Sequence, residues 1–351
     1  MLNLPNKITG PWNLADLNDG KIGTPAHGLT VFSCFHCGGG STMGYKLAGF
    51  NVLGGVEIDP EMMDIYRRNF NPKHSYLMDI KDFKYMDLPK ELYNLDVLDG
   101  SPPCSSFSMA GARERLWGKE KKFREGQSEQ VLDDLFFHFI DVAERMRPKM
   151  VIAENVKGLI MGNAKGYVKQ IFRRLGEAGY EVQLFVLCSS RMGVPQRRER
   201  IFFIARRKDL GIPRLNLKFD EEEIPLIKAL RDLPDDETPM YADSMMKRWL
   251  AAPVGGYSKT KDGNTFGFVY RSDPTKPCST ITASPRAYHW SVCRRFNQAE
   301  VTRIQSFPDD FNYIKSGTEH ANYVCGMSVP PFMMQRVSLE VAKSLLSLPR
   351  S

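Results

Sequence analysis

VFSCFHCGGGSTMGYK, residues 31–46, runs from an apolar segment into three consecutive glycines and then into a stretch with helical spacing. Cys34 and Cys37 stand at CxxC spacing within it. A zinc knuckle needs four ligands, and the chain holds no second CxxC and no HxxxH, so no metal is expected. A thioredoxin-like redox pair sits at a strand end before a helix, as this pair does, but is not followed by three glycines. A phosphate-binding P-loop requires GxxxxGKS/T, and Gly39 to Gly44 runs on into Tyr45; a strict GxGxxG fails at Met43. What remains is a glycine-rich turn between a first strand and a first helix, with Glu57 at the end of the next apolar run. Backbone can approach a nucleoside closely at such a turn while the carboxylate accepts hydrogen bonds from both ribose hydroxyls. A glycine turn that serves only tight helix packing is the competing reading.

Outward from this turn, short apolar runs alternate with helical stretches, the pattern of a mostly parallel sheet covered by helices on both faces. The expected strands are LTVFSCF (29–35), NVLGGVEI (51–58), LDVLDGS (95–101), KMVIAEN (149–155), EVQLFVL (181–187) and RIFFIARR (200–207). Helices are expected at STMGYKLAG, PEMMDIYRRNF, DLFFHFIDVAERMR and GYVKQIFRRLGEAG, the last two with apolar residues at i, i+3, i+4 spacing. After Lys208 the chain turns to Pro, Gly and charged residues with thin apolar content, which reads as a second, loop-rich domain. GMSVPPFMMQRVSLEVAKSLLSL, from 326, reads as a turn, a Pro pair at a helix start and an amphipathic helix.

The 351 residues are 42% apolar, ample for a real core. No apolar run reaches the roughly 18 residues of a membrane span, and the start, MLNLPNKITG, lacks a secretory pattern, so a cytoplasmic protein with no membrane partner is expected. Seven cysteines, an odd number, fit free thiols better than a disulfide framework. The net charge of +7 permits a polyanionic partner without demanding one. Its distribution is uneven: RMGVPQRRERIFFIARRK (191–208) carries Arg191, Arg197, Arg198, Arg200, Arg206, Arg207 and Lys208 against Glu199 alone, whereas DEEEIPLIKALRDLPDDE (220–237) is mostly acidic.

DGSPPCSSFS (99–108) follows the apolar run LDVL and places Cys104 at the carboxyl end of a strand, where open α/β sheets hold their ligands. A thiol of ordinary pKa is only a few per cent thiolate at neutral pH, but thiolate is a strong nucleophile and neighbouring cations favour it. A plain Pro-Pro-Cys turn is the alternative. The long charged loop SMAGARERLWGKEKKFREGQ that follows has the composition of a closing lid. Glu154 ends VIAENV and would face the same edge as Cys104, or cap a helix. QRRER (196–200) reads equally as a substrate grip or a surface patch.

Taken together, these segments resemble the DNA (cytosine-5)-methyltransferases, because six separated motifs fall in that family's order. FHCGGG is similar to the methyl-donor loop Phe-x-Gly-x-Gly-Gly, with Phe35, Gly38, Gly39 and Gly40 matching and Cys37 where a glycine is usual. VEID, MDI, SPPCSSFS, AENV and QRRER match the motifs that follow, and the likeness continues through KPCSTITAS (276–284), RRFNQAEVTRIQSFPDDF (294–311) and GMSVPP (326–331). It spans roughly residues 29–345 apart from 209–270, which corresponds to the variable target-recognition segment.

The resemblance implies a doubly wound, mostly parallel α/β sheet of the S-adenosylmethionine-dependent methyltransferase type with a smaller, loop-rich target-recognition domain. The expected divisions are an N-terminal extension at 1–28, a catalytic methyl-donor-binding domain at 29–208, the recognition domain at 209–315 and a returning C-terminal helix at 316–351. Cys104 is then the nucleophile, Glu154 the group that holds the cytosine ring, and Arg198 and Arg200 its helpers, both also DNA contacts. The donor, S-adenosyl-L-methionine (product S-adenosyl-L-homocysteine), is expected at Phe35, Cys37, Gly38, Gly40, Glu57 for the ribose, Ile58, Asp79 for the adenine amine, Ile80, Pro103, Leu135, Ser328 and Val329. Ser105 and Ser108 are implied DNA contacts. The implied substrate is a cytosine flipped out of double-stranded DNA, acted on by a monomer of bacterial or phage type, with a separate restriction endonuclease as a further partner. Met327 departs from the family, which has asparagine there, and LDDLFF (132–137) lacks the usual arginine-glycine pair. A tRNA methyltransferase of the same family and an inactive DNA-binding homologue are the alternatives; the former usually carries Cys-Phe-Thr, absent from this chain.

Overall fold

The computed structural model describes residues 3–103, 134–161, 165–234, 243–259, 269–283 and 287–348. Cys104, Ser105, Ser108 and the charged stretch after them lie outside the described residues. In chain order the elements are α1 (Leu14–Asn18), β1 (Thr30–Cys34), α2 (Gly40–Leu47), β2 (Asn51–Glu57), α3 (Pro60–Phe70), β3 (His74–Leu77), α4 (Ile80–Phe83) and β4 (Val97–Gly100). There follow α5 (Leu135–Met146), β5 (Met150–Val156), α6 (Lys165–Glu177), β6 (Tyr180–Cys188), β7 (Gln196–Arg197) and β8 (Glu199–Arg207). The remainder comprises α7 (Leu226–Leu230), α8 (Asp243–Ala251), β9 (Gly256–Tyr257), β10 (Tyr270–Arg271), β11 (Cys278–Ser279), β12 (Ala287–Tyr288), α9 (Gln298–Ile304), α10 (Thr318–Met327) and α11 (Pro331–Leu346).

A seven-stranded sheet has the order β3-β2-β1-β4-β5-β8-β6. All neighbours from β3 to β5 are parallel, and β8 is antiparallel to both β5 and β6. The sheet is mostly parallel, as the sequence leads one to expect, and all six expected strands are present. The seventh, β3, is a four-residue edge strand, HSYL, whose side chains are only partly buried, so no apolar run announces it. The strands are buried on both faces. Val31, Val97, Ile152, Phe202 and Ile204 pack towards α2, α3 and α11, while Phe32, Leu98, Val151, Ile201 and Phe203 pack towards α4, α5 and α6. This two-sided burial explains why these strands read as continuous apolar runs.

The last helix departs from expectation. Instead of presenting one apolar face, α11 is buried on every side from Pro331 to Leu339, polar Gln335, Arg336 and Ser338 included. The partners come from the first residues of the chain: Arg336 Nη1 donates to the Ile8 carbonyl at 2.8 Å, and Gln335 Nε2 donates to the Asn6 carbonyl at 3.1 Å. Glu221 completes the set, 2.9 Å from Arg336 Nη2. The same N-terminal arm buries Trp12, whose Nε1 donates to the Ser306 carbonyl, and places the Leu14 and Ala15 amides on the Asp310 carboxylate. Gly326 and Met327, expected in a turn, instead end α10, and the chain turns at Ser328.

Beyond β8, Ile212, Leu215, Leu217 and Leu226 join the core on the α11 side, and β11 pairs with β7. Trp249, Val269, Tyr288 and Cys293 form a small separate cluster around the three-stranded sheet β12-β10-β9. Among the described residues no helix is long and apolar enough to cross a membrane.

Candidate active site

The parallel strands all end on one edge of the sheet, and so deliver Phe35 to Cys37, Glu57, Asp79 and the 100–103 segment to one place. Because β8 runs the other way, it is the start of β8 that reaches this edge. Register pairs Val156 with Arg200, and the Arg200 Nε lies 3.0 Å from Glu154 Oε1, with Glu154 buried and Arg200 largely so. Burial lowers the Arg200 pKa, and the Glu154 carboxylate opposes that shift. The neighbouring Asn155 donates from Nδ2 to the Pro102 carbonyl at 2.9 Å. The segment that leads into Cys104 is thereby tied to the strand that carries Glu154. Pro103 is the last residue described before it.

Glu57 is 8% exposed, and backbone alone holds it: the amides of Ile58 and Asp59 donate to Oε1 at 2.8 and 3.1 Å, and that of Cys37 donates to Oε2 at 3.0 Å. Three of the roughly four acceptor sites of a carboxylate are filled, which leaves Oε2 able to accept one further hydrogen bond. Burial raises its pKa, and the three amides offset part of the rise. Asp79 caps α4, accepting from the Lys81 amide at 3.0 Å. Ile80 and Leu135 begin α4 and α5 with their side chains in the core beside Phe32 and Leu98. Ile58 touches the site through its amide.

The glycine loop turns sharply, with Phe35 at φ +56°, Cys37 at +47° and Gly39 at +84°. A Cβ on Gly38 would overlap Val324 of α10, one on Gly39 the Phe70 ring, and one on Gly40 the Val329 carbonyl oxygen. The returning chain fills the space at Gly38 and Gly40, and α3 fills it at Gly39, so tight packing accounts for their missing side chains. Ser328 and Val329 are buried against the loop, and Ser328 Oγ donates to the Val324 carbonyl at 2.7 Å. Burial pushes the Cys37 thiol up to about 12, with Glu57 adding to the rise, and its Sγ rests 3.6 Å from Met62 Sδ. Cys34 lies within β1, and burial holds its thiol well above the ordinary value. Burial disfavours the thiolate form of both.

Arg198 and Arg200 differ although they share one motif. Arg198 is 3% exposed and turns inward, donating from Nη1 to the Ile281 carbonyl at 3.0 Å and from Nη2 to the Gly326 carbonyl at 2.9 Å. Burial lowers its pKa to about 9, with the Arg200 charge next in effect. It clamps the KPCSTITAS and GMSVPP segments together; Arg200 alone of the pair reaches Glu154. Gln196 reinforces the clamp, accepting the Ile281 amide at 3.0 Å and donating to Gln305 Oε1 at 2.6 Å, while Gln305 donates to the Ser328 carbonyl at 2.8 Å. Gln196, Gln305 and Asn155 are site-building residues that sequence reasoning did not single out. Each lies inside a matched motif, and that is the signal that would have found them.

The family model for C-5 cytosine-specific DNA methylases matches residues 29–343. Type II methyltransferase M.NgoPII of Neisseria gonorrhoeae is 26% identical, with 90% of this chain and 96% of the relative covered. M1.HphI of Haemophilus parahaemolyticus is 29% identical, covering 90% and 87%. Among solved structures, a protein encoded within an Escherichia coli prophage superposes with a TM-score of 0.71 at 20% identity, covering 91% of this chain and 100% of that one. Dnmt2 methyltransferase of S. pombe also superposes, at a TM-score of 0.62 and 17% identity, covering 90% and 99%. These structural likenesses carry the fold, and the family match covers most of the chain. This chain belongs to the C-5 cytosine-specific DNA methylase family.

Proposed function

We propose that the enzyme methylates carbon 5 of a cytosine flipped out of a specific duplex sequence, through a covalent bond from Cys104. The observation that carries this is the largely buried Glu154–Arg200 pair beside the Pro102–Pro103 segment that runs straight into Cys104. Cytosine is not nucleophilic at carbon 5. Attack of the Cys104 thiolate on carbon 6 converts the ring to an enamine that is, and Glu154 stabilises the change by holding ring nitrogen 3 and the exocyclic amine. Arg200 orients Glu154 through Oε1 and supplies positive charge beside the base carbonyl. Arg198 acts one step back, fixing the walls of the site. Loss of the carbon-5 proton to solvent, with cleavage of the sulfur–carbon-6 bond, regenerates Cys104.

S-adenosylmethionine supplies an electrophilic methyl group when bound. The edge fits such a donor: Glu57 keeps one acceptor position for a ribose hydroxyl and is buried without a cation partner among the described residues, which suits a cationic nucleoside. Phe35, Cys37, Gly38, Gly40, Ile58, Asp79, Ile80, Pro103, Leu135, Ser328 and Val329 are the proposed surroundings, with Ile80, Leu135 and the glycines acting through backbone and packing. Ser105 and Ser108 are proposed to contact the DNA.

The divisions 1–28, 29–208, 209–315 and 316–351 are proposed as arm, catalytic domain, recognition domain and returning helix. Base reading is proposed near the Trp249 cluster, where Arg271 lies 4.0 Å from the Trp249 ring centroid. The type II names of the relatives favour a restriction-modification role in a bacterial or phage-infected cytoplasm, by a monomer accompanied by a separate endonuclease. Incubation with methyl-labelled donor and either duplex DNA or tRNA tests the reading. Label is expected in DNA, and label confined to tRNA would overturn it.

A further inference from the structure

Asp99 plays no part in the chemistry above, yet it is the most sequestered acid at the ligand edge. It ends the apolar run of β4, 2% exposed, one residue before Gly100 and the segment that leads to Cys104. Hydroxyls converge on it from two directions: Ser33 Oγ of β1 donates to Oδ2 at 3.2 Å, and Tyr45 Oη of α2 donates to Oδ1 at 3.3 Å. Ser41, in the first turn of α2, adds a third. No cation pairs with it among the described residues. Glu57, across β1, is in the same condition, and the Cys34 thiol between them feels both charges.

Two buried carboxylates without a countercharge are an unfavourable arrangement for an empty protein. The groups that face Asp99 are Ser33 and Cys34 on β1, Ser41 and Tyr45 on α2, Tyr66 on α3 and Glu154 on β5. None is basic, and Glu154 is itself an acid paired with Arg200. The negative field is therefore left for a ligand to neutralise. A sulfonium donor carries one positive charge that its thioether product lacks.

We propose that Asp99 sets the preference for donor over product: its buried negative charge holds S-adenosylmethionine more tightly than S-adenosylhomocysteine without touching either. This rests on the donor reading above. Through space, a buried unit charge at an effective dielectric of about 20 changes the affinity of a cation on the order of 10 Å away roughly tenfold and leaves a neutral sulfur almost unaffected. Methyl transfer removes the positive charge and with it this attraction, so product leaves. Burial pushes the Asp99 carboxyl up to about 7, with the hydroxyls of Ser33, Tyr45 and Ser41 restraining the rise. The preference accordingly grows with pH through neutrality.

Calorimetric titration of both ligands into the wild-type protein and Asp99→Asn at pH 8 tests this without turnover. Asp99→Asn is expected to lose roughly tenfold in affinity for S-adenosylmethionine and to stay within about twofold for S-adenosylhomocysteine. In the wild type the affinity ratio should rise between pH 6 and 8.5, and that rise should vanish in the variant. Tyr45→Phe keeps the carboxylate but removes one donor, and should move the rise to higher pH. Equal weakening of both ligands, the mark of a merely structural role, would overturn the proposal, as would no change in either. A wild-type protein that binds neither ligand would instead overturn the donor reading itself.

Discussion

Arg200 and Glu154 meet where the parallel part of the sheet gives way to the antiparallel strand β8, Nε to Oε1 at 3.0 Å, with Glu154 buried and Arg200 largely so. Removing one partner strands the other charge in the interior, at a cost of about 3–5 kcal/mol. Arg200→Ala is expected to lose about that much in urea unfolding and to lose methyl transfer with it. The paired change Glu154→Gln with Arg200→Met should recover most of the stability and none of the activity. A paired variant as unstable as Arg200→Ala alone would mean that the ion pair is not the source of the loss.

Cys104→Ala should abolish labelled methyl transfer while duplex binding, read by fluorescence anisotropy, stays within a fewfold of wild type. Undiminished transfer by this variant would show that another group opens the cytosine ring.

Two glycine substitutions should act in opposite directions. A methyl on Gly40 would overlap the backbone carbonyl of Val329, which cannot swing aside as a side-chain tip can. Gly40→Ala is expected to cost about 1–3 kcal/mol and to weaken donor binding, by analogy with overpacked cores. Gly176, within α6, has nothing within 4 Å of an added Cβ. Gly176→Ala should therefore raise stability by about 0.5–1 kcal/mol and leave binding unchanged.

Asp99 makes the protein's stability depend on pH with an inverted sign. Its carboxyl titrates near 7 when folded against an ordinary value of 3.8. Between these limits the folded state holds the extra proton, so stability declines as pH rises from about 4 to about 7 and is level above. A salt-bridged carboxylate does the reverse. The full span is a few kcal/mol, because each tenfold difference in proton affinity between the folded and unfolded chain is worth about 1.4 kcal/mol. Asp99→Asn removes this slope, so its stability relative to wild type should grow between pH 5 and pH 8 in urea unfolding. A pH-independent difference would show that the carboxyl keeps its ordinary proton affinity in the folded protein.

Much of this molecule is legible in its sequence because burial on both faces writes each central strand as an unbroken apolar run. β3 escapes because a half-buried edge strand of four residues has no such run. α11 misleads because Gln335 and Arg336 look like a solvent face, when they are buried and satisfied by the carbonyls of Asn6 and Ile8. No spacing rule connects residues so far apart. The site shows the same division. Strand-end acids such as Glu57 and Glu154 stand out by position, but the opposite fates of Arg198 and Arg200 depend on how β7 passes into β8 and on where Ile281 and Gly326 lie. Asp99 stayed hidden because the Pro-Cys pattern beside it drew the reading of that stretch.

The closure of the glycine loop by α10 and Val329 has a consequence for synthesis. Gln335 donates to the Leu47 carbonyl, 288 positions earlier, and Gly38 and Gly40 meet their packing partners only when residues 324–329 arrive. At about 5–20 residues per second, the first strand waits roughly 15–60 s on the ribosome for the segments that roof it. Through that interval the nascent chain has no finished glycine loop, and the apolar face destined for α11 is uncovered and open to chaperones. Methylating capacity should therefore appear abruptly, with the emergence of the last two helices, and not accumulate as the sheet is made.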